Sequence, residues 1–213
     1  MRWLTSSPLL SLCLARTPAG LTIRNSQRLV PVRVPLLRAR ASLALSLLRM
    51  PDYSLDIWLT NDQTIRRLNR QYRTRDAPTD VLSFPFQALQ PPAADLPPEQ
   101  RPLPPPADPA GSVRELGQLV ISAPYVARAA KELQVSTDER LRVLMVHGLC
   151  HLLGYDHENE ADAARMEKEE DRISQLIKQH EQAEEEEKQR RMASKKPPSV
   201  TQATAALFDS RLH

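Results

Sequence analysis

The sequence predicts one mixed domain of short strands and amphipathic helices, carried between two tails of different composition. Three observations predict it. Segments 55–60, 81–86 and 116–122 are apolar at strand length. Segments 36–50, 61–72, 124–133 and 161–179 carry apolar residues at helical spacing. Between the last two of these helices lies HGLCHLLGYDH, in which three of the chain's five histidines fall within eleven residues.

Composition bounds the rest. A chain of 213 residues suffices for one domain with a real core. The net charge of +3 is misleading, because residues 1–51 hold eight arginines and no acidic residue. The remaining 21 basic residues face 26 acidic ones, so overall basicity is weak evidence for nucleic-acid binding. No apolar run reaches membrane-spanning length, so no membrane association is expected. Two cysteines, Cys13 and Cys150, do not make a disulfide framework.

In chain order, residues 1–20 combine Arg, Ser and Leu without an acid, the composition of an organelle import segment, mitochondrial or plastid. A secretory signal is the rival reading; its apolar stretch, Pro8 to Ala15, is short and broken by polar residues. Leu21 to Asn25 reads as a short strand. Val30 to Pro35 is too proline-rich for a helix or a central strand. A helix is expected over 36–50, on Leu36, Leu37, Leu43, Leu47 and Leu48, and Pro51 ends it. Leu55 to Thr60 is the next strand. Asn61 or Asp62 caps a helix to about Tyr72 whose apolar face is Ile65, Leu68 and Tyr72. Arg66, Arg70 and Arg73 stripe its other side; such a stripe is usually a solvated face, with phosphate binding the alternative. Val81 to Phe86 is a short strand that Pro85 confines to an edge or an end.

Residues 91–110 contain nine prolines and read as an extended insertion. Leu116 to Ser122 is a strand, and Pro124 to Leu133 a helix with proline in its first turn. Ser136 and Glu139 form a capping box that opens the histidine helix, which would bury Leu141, Leu144, Met145 and Leu149. A last helix spans about 161–179, with Met166, Ile173, Leu176 and Ile177 inward. Residues 181–213 form a charged tail, disordered or extending that helix.

The histidines carry the chemistry. His147 and His151 are one helical turn apart on the same face. Gly154 ends the helix and lets His157 fold back over them. Three neutral imidazoles with a vacant fourth position are the ligand set of a catalytic zinc site, although the same donors suit nickel, copper and iron. Cys150 is either a fourth donor or a small buried apolar residue on the helix flank. On an ideal helix it points about 60° from His147 and about 100° from His151, which favours packing. The spacing matches H-E-x-x-H-x-x-G-x-x-H of the metzincin peptidases at every position but one: Gly148 replaces the glutamate that acts as general base. The general base is not identified: Asp156 and Glu158 are the carboxylates nearby, but Asp156 serves equally to orient a histidine, and Glu158 reads as a solvated charge.

VHGLCHLLGYDH resembles the signature of the YbeY family, metal-dependent endoribonucleases of ribosomal RNA maturation. Leu68 to Arg73, Pro78 to Phe86 and Leu116 to Ser122 resemble further blocks of that family in the same order, over roughly residues 21–180. Ile23 to Arg28 resembles its eukaryotic, organelle-targeted branch. The resemblance implies an α+β fold, a small mixed β-sheet covered by helices, with a metal-binding helix-turn carrying HxxxHxxxxxH. It implies one zinc ion held by His147, His151 and His157 in a cleft, and Arg73 as the functional arginine. It implies single-strand endoribonuclease activity in small-subunit ribosomal RNA maturation and ribosome assembly, with a small-subunit ribosomal protein as partner. Gln118 departs from the family, which usually has Asp there, and Cys150 stands where leucine is common. The rival readings are a non-catalytic ribosome-assembly factor with a structural metal, and a metallopeptidase, against which Gly148 argues.

Overall fold

The computed structural model describes residues 20–87 and 114–195. The expected import segment, the proline-rich insertion and the end of the tail lie outside the described residues. The elements run β1 (Leu21–Asn25), α1 (Val34–Leu47), β2 (Ser54–Thr60), α2 (Asp62–Arg73), β3 (Val81–Pro85), β4 (Glu115–Ser122), α3 (Ala123–Glu132), α4 (Thr137–Leu152) and α5 (Glu160–Lys195). The expected α+β fold with a small mixed sheet is what the chain adopts.

The strand order is β1-β2-β4-β3. β1 and β4 each run parallel to β2, while β3 pairs antiparallel with β4. The edge position of β3 accommodates Pro85, which lacks the N–H that an interior strand would need. Strand alternation divides the core in two. Leu55, Ile57, Leu59, Leu119 and Ile121 face α1 and α4 in the larger cluster, which Met166, Ile173 and Ile177 of α5 complete. Val120 and Leu82 face the other way, onto Ile65 of α2, with Trp58, Leu68 and Phe84 packed alongside.

Most boundaries fall within two residues of expectation; the differences have local causes. α1 starts at Val34, inside the stretch read as too proline-rich, because Pro35 occupies the first turn, where its missing N–H costs nothing. Its buried stripe is Leu37, Ala41, Ala44 and Leu45; of the leucines expected there, Leu36, Leu43, Leu47 and Leu48 are only half-buried, and two alanines and Leu45 take their place. Tyr72, expected inside, is 60% exposed. It lies on the side of α2 that carries Ile65 and Leu68, but at the last turn that side meets the edge strand β3, through Phe84, and is left largely open. Leu176 is likewise only half-buried, and Glu169 is buried instead.

Among the described residues, those up to Ile177 form one compact unit and those from Lys178 a second. Residues 181–195, read as a disordered tail or a helix extension, are helical. Within that stretch Glu186–Arg190 and Glu187–Arg191 pair at i,i+4 spacing, the arrangement that supports a polar helix without an apolar face. No described helix is long and apolar enough to cross a membrane.

Candidate metal centre

α4 is set in place at both ends. Ser136 accepts a hydrogen bond from the Glu139 N–H at 3.1 Å, the expected cap, and Asp138 and Glu139 lie in the positive first turn. At the C-terminus Gly154 adopts φ 86°, which a side chain would resist. The Tyr155 N–H then donates to the Cys150 carbonyl and the Gly154 N–H to that of His151, both at 3.0 Å. This closure buries Tyr155 and turns the chain back over the helix end.

The turn brings the three histidines together. One ring nitrogen from each of His147, His151 and His157 lies within 4.8 Å of the others. His147 and His151 are half-buried and His157 is exposed. The acceptors around them fix the tautomers. The Nδ1–H of His147 donates to the Glu170 carboxylate at 2.8 Å, and that of His151 to the Tyr155 carbonyl at 3.1 Å. Neither partner can donate, so in the neutral rings both Nε2 atoms carry lone pairs, and these face each other at 3.2 Å. Two lone pairs so close repel unless a positive charge lies between or beside them. A proton is disfavoured at His151, whose pKa is held below the ordinary value by burial, then by His147 and His157. Three imidazoles whose ligand atoms lie this close fit a divalent cation.

Glu170 was not singled out in the sequence. It sits among many acids of α5, but at i+4 from Met166 and i−3 from Ile173 it interrupts that helix's buried stripe. An acid on an apolar stripe is the signal that could have found it. Asp156 has another task than orienting a ring: its Oδ1 accepts the backbone N–H of His157 at 2.8 Å and shapes the turn. Glu158 is exposed, as expected.

Cys150 is fully buried in the main core, and burial, then the Glu170 and Glu169 charges, pushes its thiol pKa up. It is a packed thiol and no member of the histidine cluster. Gly148 faces the sheet: a Cβ built there would meet Leu119 Cδ2 at 2.7 Å and Ser83 Oγ at 3.3 Å. The position that holds the peptidase base in H-E-x-x-H has no room for a glutamate. Arg73 is the last residue of α2, exposed, on the helix covering the opposite face of the sheet from α4. Arg66 does not share its freedom; it makes a two-pronged pair with Asp76, both bonds 2.9 Å.

The family model of endoribonuclease YbeY matches residues 32–178. The chain belongs to the YbeY family. It is 39% identical to the YbeY endoribonuclease of Geobacter metallireducens over 162 residues, covering 73% of this chain and 93% of that one. To the YbeY endoribonuclease of Homo sapiens it is 34% identical over 158 residues, covering 72% and 86%. The YbeY match spans every element from α1 to α4 and the part of α5 that contributes Glu170.

Proposed function

We propose that this chain is a zinc-dependent single-strand endoribonuclease acting in small-subunit ribosomal RNA maturation and ribosome assembly in mitochondria. One observation carries the metal-dependent part: the two Nε2 atoms of His147 and His151 converge with their Nδ1 atoms already committed to acceptors. His147, His151 and His157 are the ligands. A divalent ion bound there supplies Lewis acidity, which brings water to a pKa of about 7 and polarises a phosphoryl oxygen.

The chain's own residues do the rest. Glu170 and the Tyr155 carbonyl hold two imidazoles in the ligating tautomer and orientation. Arg73 clamps a phosphate through its two-pronged guanidinium, whose charge is permanent. The peptidase reading has nothing to stand on at Gly148, where the packed Leu119 excludes a carboxylate. Zinc is preferred among ions suited to imidazole because the YbeY resemblance implies it. The acid-free front segment and the human relative support the mitochondrial assignment, with a plastid as alternative. The division is then 1–20 import segment, 21–180 nuclease domain and 181–213 charged tail. The family also supports a small-subunit ribosomal protein as partner.

The test is cleavage of a small-subunit ribosomal RNA 3′ fragment by the parent, by His151→Ala and by a chelated sample, folding being checked by circular dichroism. Cleavage by the parent alone, restored by zinc, is expected. Equal cleavage in all three would mean a contaminating ribonuclease. No cleavage by the folded, zinc-loaded parent would favour an assembly factor without catalysis.

A further inference from the structure

The face of the sheet that α2 covers is only partly covered. Register aligns Thr22, Asp56, Gln118 and Phe84 in one row across all four strands, and none of the four is buried. The row ends at the β3 edge in a group of aromatic side chains. Tyr72, in the last turn of α2, meets Phe84 edge-to-face at 5.1 Å between centroids. Phe86 follows just beyond the end of β3, and its N–H still pairs with the Leu116 carbonyl at 3.2 Å, which holds it at the same edge of the sheet. Tyr72 and Phe86 are 60% and 57% exposed. Leaving two large rings in water has a cost that burying them would have avoided, and no described neighbour covers them.

The charge beside these rings is mainly positive, with Asp76, which holds Arg66 and faces Arg70, as the acid beside it. Residues 66–75 hold five arginines and no acidic residue. Arg66 is taken by Asp76, but no ion pair claims Arg70, Arg73 or Arg75 among the described residues, and all three are exposed. Beside Phe84 the strand offers Gln118, a neutral amide; the nearest acid in the row, Asp56, lies one strand further on. Exposed rings flanked by unpaired guanidinium groups match single-stranded nucleic acid, whose bases stack on the rings while its phosphates meet the arginines.

We propose that Tyr72 and Phe86, with Phe84 setting the ring of Tyr72, are a stacking platform for single-stranded RNA, and that Arg70, Arg73 and Arg75 hold its backbone alongside. The proposal rests on the nuclease reading and adds to it: the substrate is also gripped by its bases at the β3 edge of the sheet, beside the Arg73 that clamps its phosphate. It makes substrate choice depend on unpaired bases, since a base inside a duplex has no free face.

The experiment is anisotropy of a fluorescein-labelled single-stranded oligouridylate titrated with the full chain, the RNA checked intact on a gel. Tyr72→Leu and Phe86→Leu should each weaken binding roughly 5- to 100-fold, with unchanged melting. Tyr72→Trp, which keeps a π face, should bind as the parent does. Arg75→Gln should lower the slope of log affinity against log salt by about 0.7. Leucine variants that bind and cleave like the parent would overturn the platform and leave the nuclease standing. A folded parent that binds no RNA would remove both. Unchanged RNA affinity with a dimer converted to monomer in sedimentation would make the patch a self-association surface and overturn the proposal.

Discussion

His147, His151 and Gly154 act through spacing, and spacing is visible in a sequence. Glu170 acts through a contact 23 residues away; its place on the apolar stripe of α5 is its one local sign, and Glu169 shares it. Its removal is therefore an informative test at the residue scale: Glu170→Ala should weaken metal binding about 10- to 100-fold against a chromogenic chelator, while leaving the fold intact. Glu170→Gln, which can still accept from the His147 Nδ1–H, should fall between it and the parent. Gly148 gives the opposite case. An alanine there gains up to about 1 kcal/mol in helix propensity, but its Cβ must displace Leu119, and overpacking costs about 1–3 kcal/mol. Gly148→Ala should lower the denaturant midpoint. Reading Gly148 as a missing base was correct about the chemistry and silent about the cause, which is the closeness of α4 to β4.

The elements were legible where caps and period agree, as in α4, whose Ser136 cap formed as expected while the Glu139 carboxylate of the expected box holds Arg142. They were misread where the burying residues are small or where a helix face meets only an edge strand. Ala41 and Ala44 contribute to the buried stripe of α1 without looking apolar enough to define it, and Tyr72 continues an apolar face that the edge strand leaves largely open. A chain with five glycines must also end helices on other residues. α3 closes through Gln134 at φ 56°, its N–H donating to the Lys131 carbonyl and that of Val135 to Ala130. Left-handed backbone costs a residue with a Cβ about 1–2 kcal/mol. Gln134→Gly should therefore raise stability by about 1 kcal/mol in urea denaturation, and Ser136→Ala, at the cap of the next helix, should lower it by about as much.

For the whole molecule, pH links the histidine cluster to stability. Because burial depresses His151 below 6.5, the unfolded chain binds its proton at a higher pH than the fold does. Stability of the metal-free protein should rise with pH from the depressed value up to about 6.5, and this group should add no further slope above it. Melting curves of chelated protein from pH 5 to 8 would check this, and loss of the slope in His151→Asn would assign it. Strand order was the least legible feature at this scale, because nothing in β4 announces that it lies between β2 and β3. That placement has a consequence for biosynthesis. A ribosome makes β1, β2 and β3 before the strand that joins β2 to β3 exists, so the emerging chain holds Leu55, Ile57 and Leu59 without their β4 partners for more than fifty residues of translation. Its sheet cannot close before β4 has been made, so β1, β2 and β3 await their central partner.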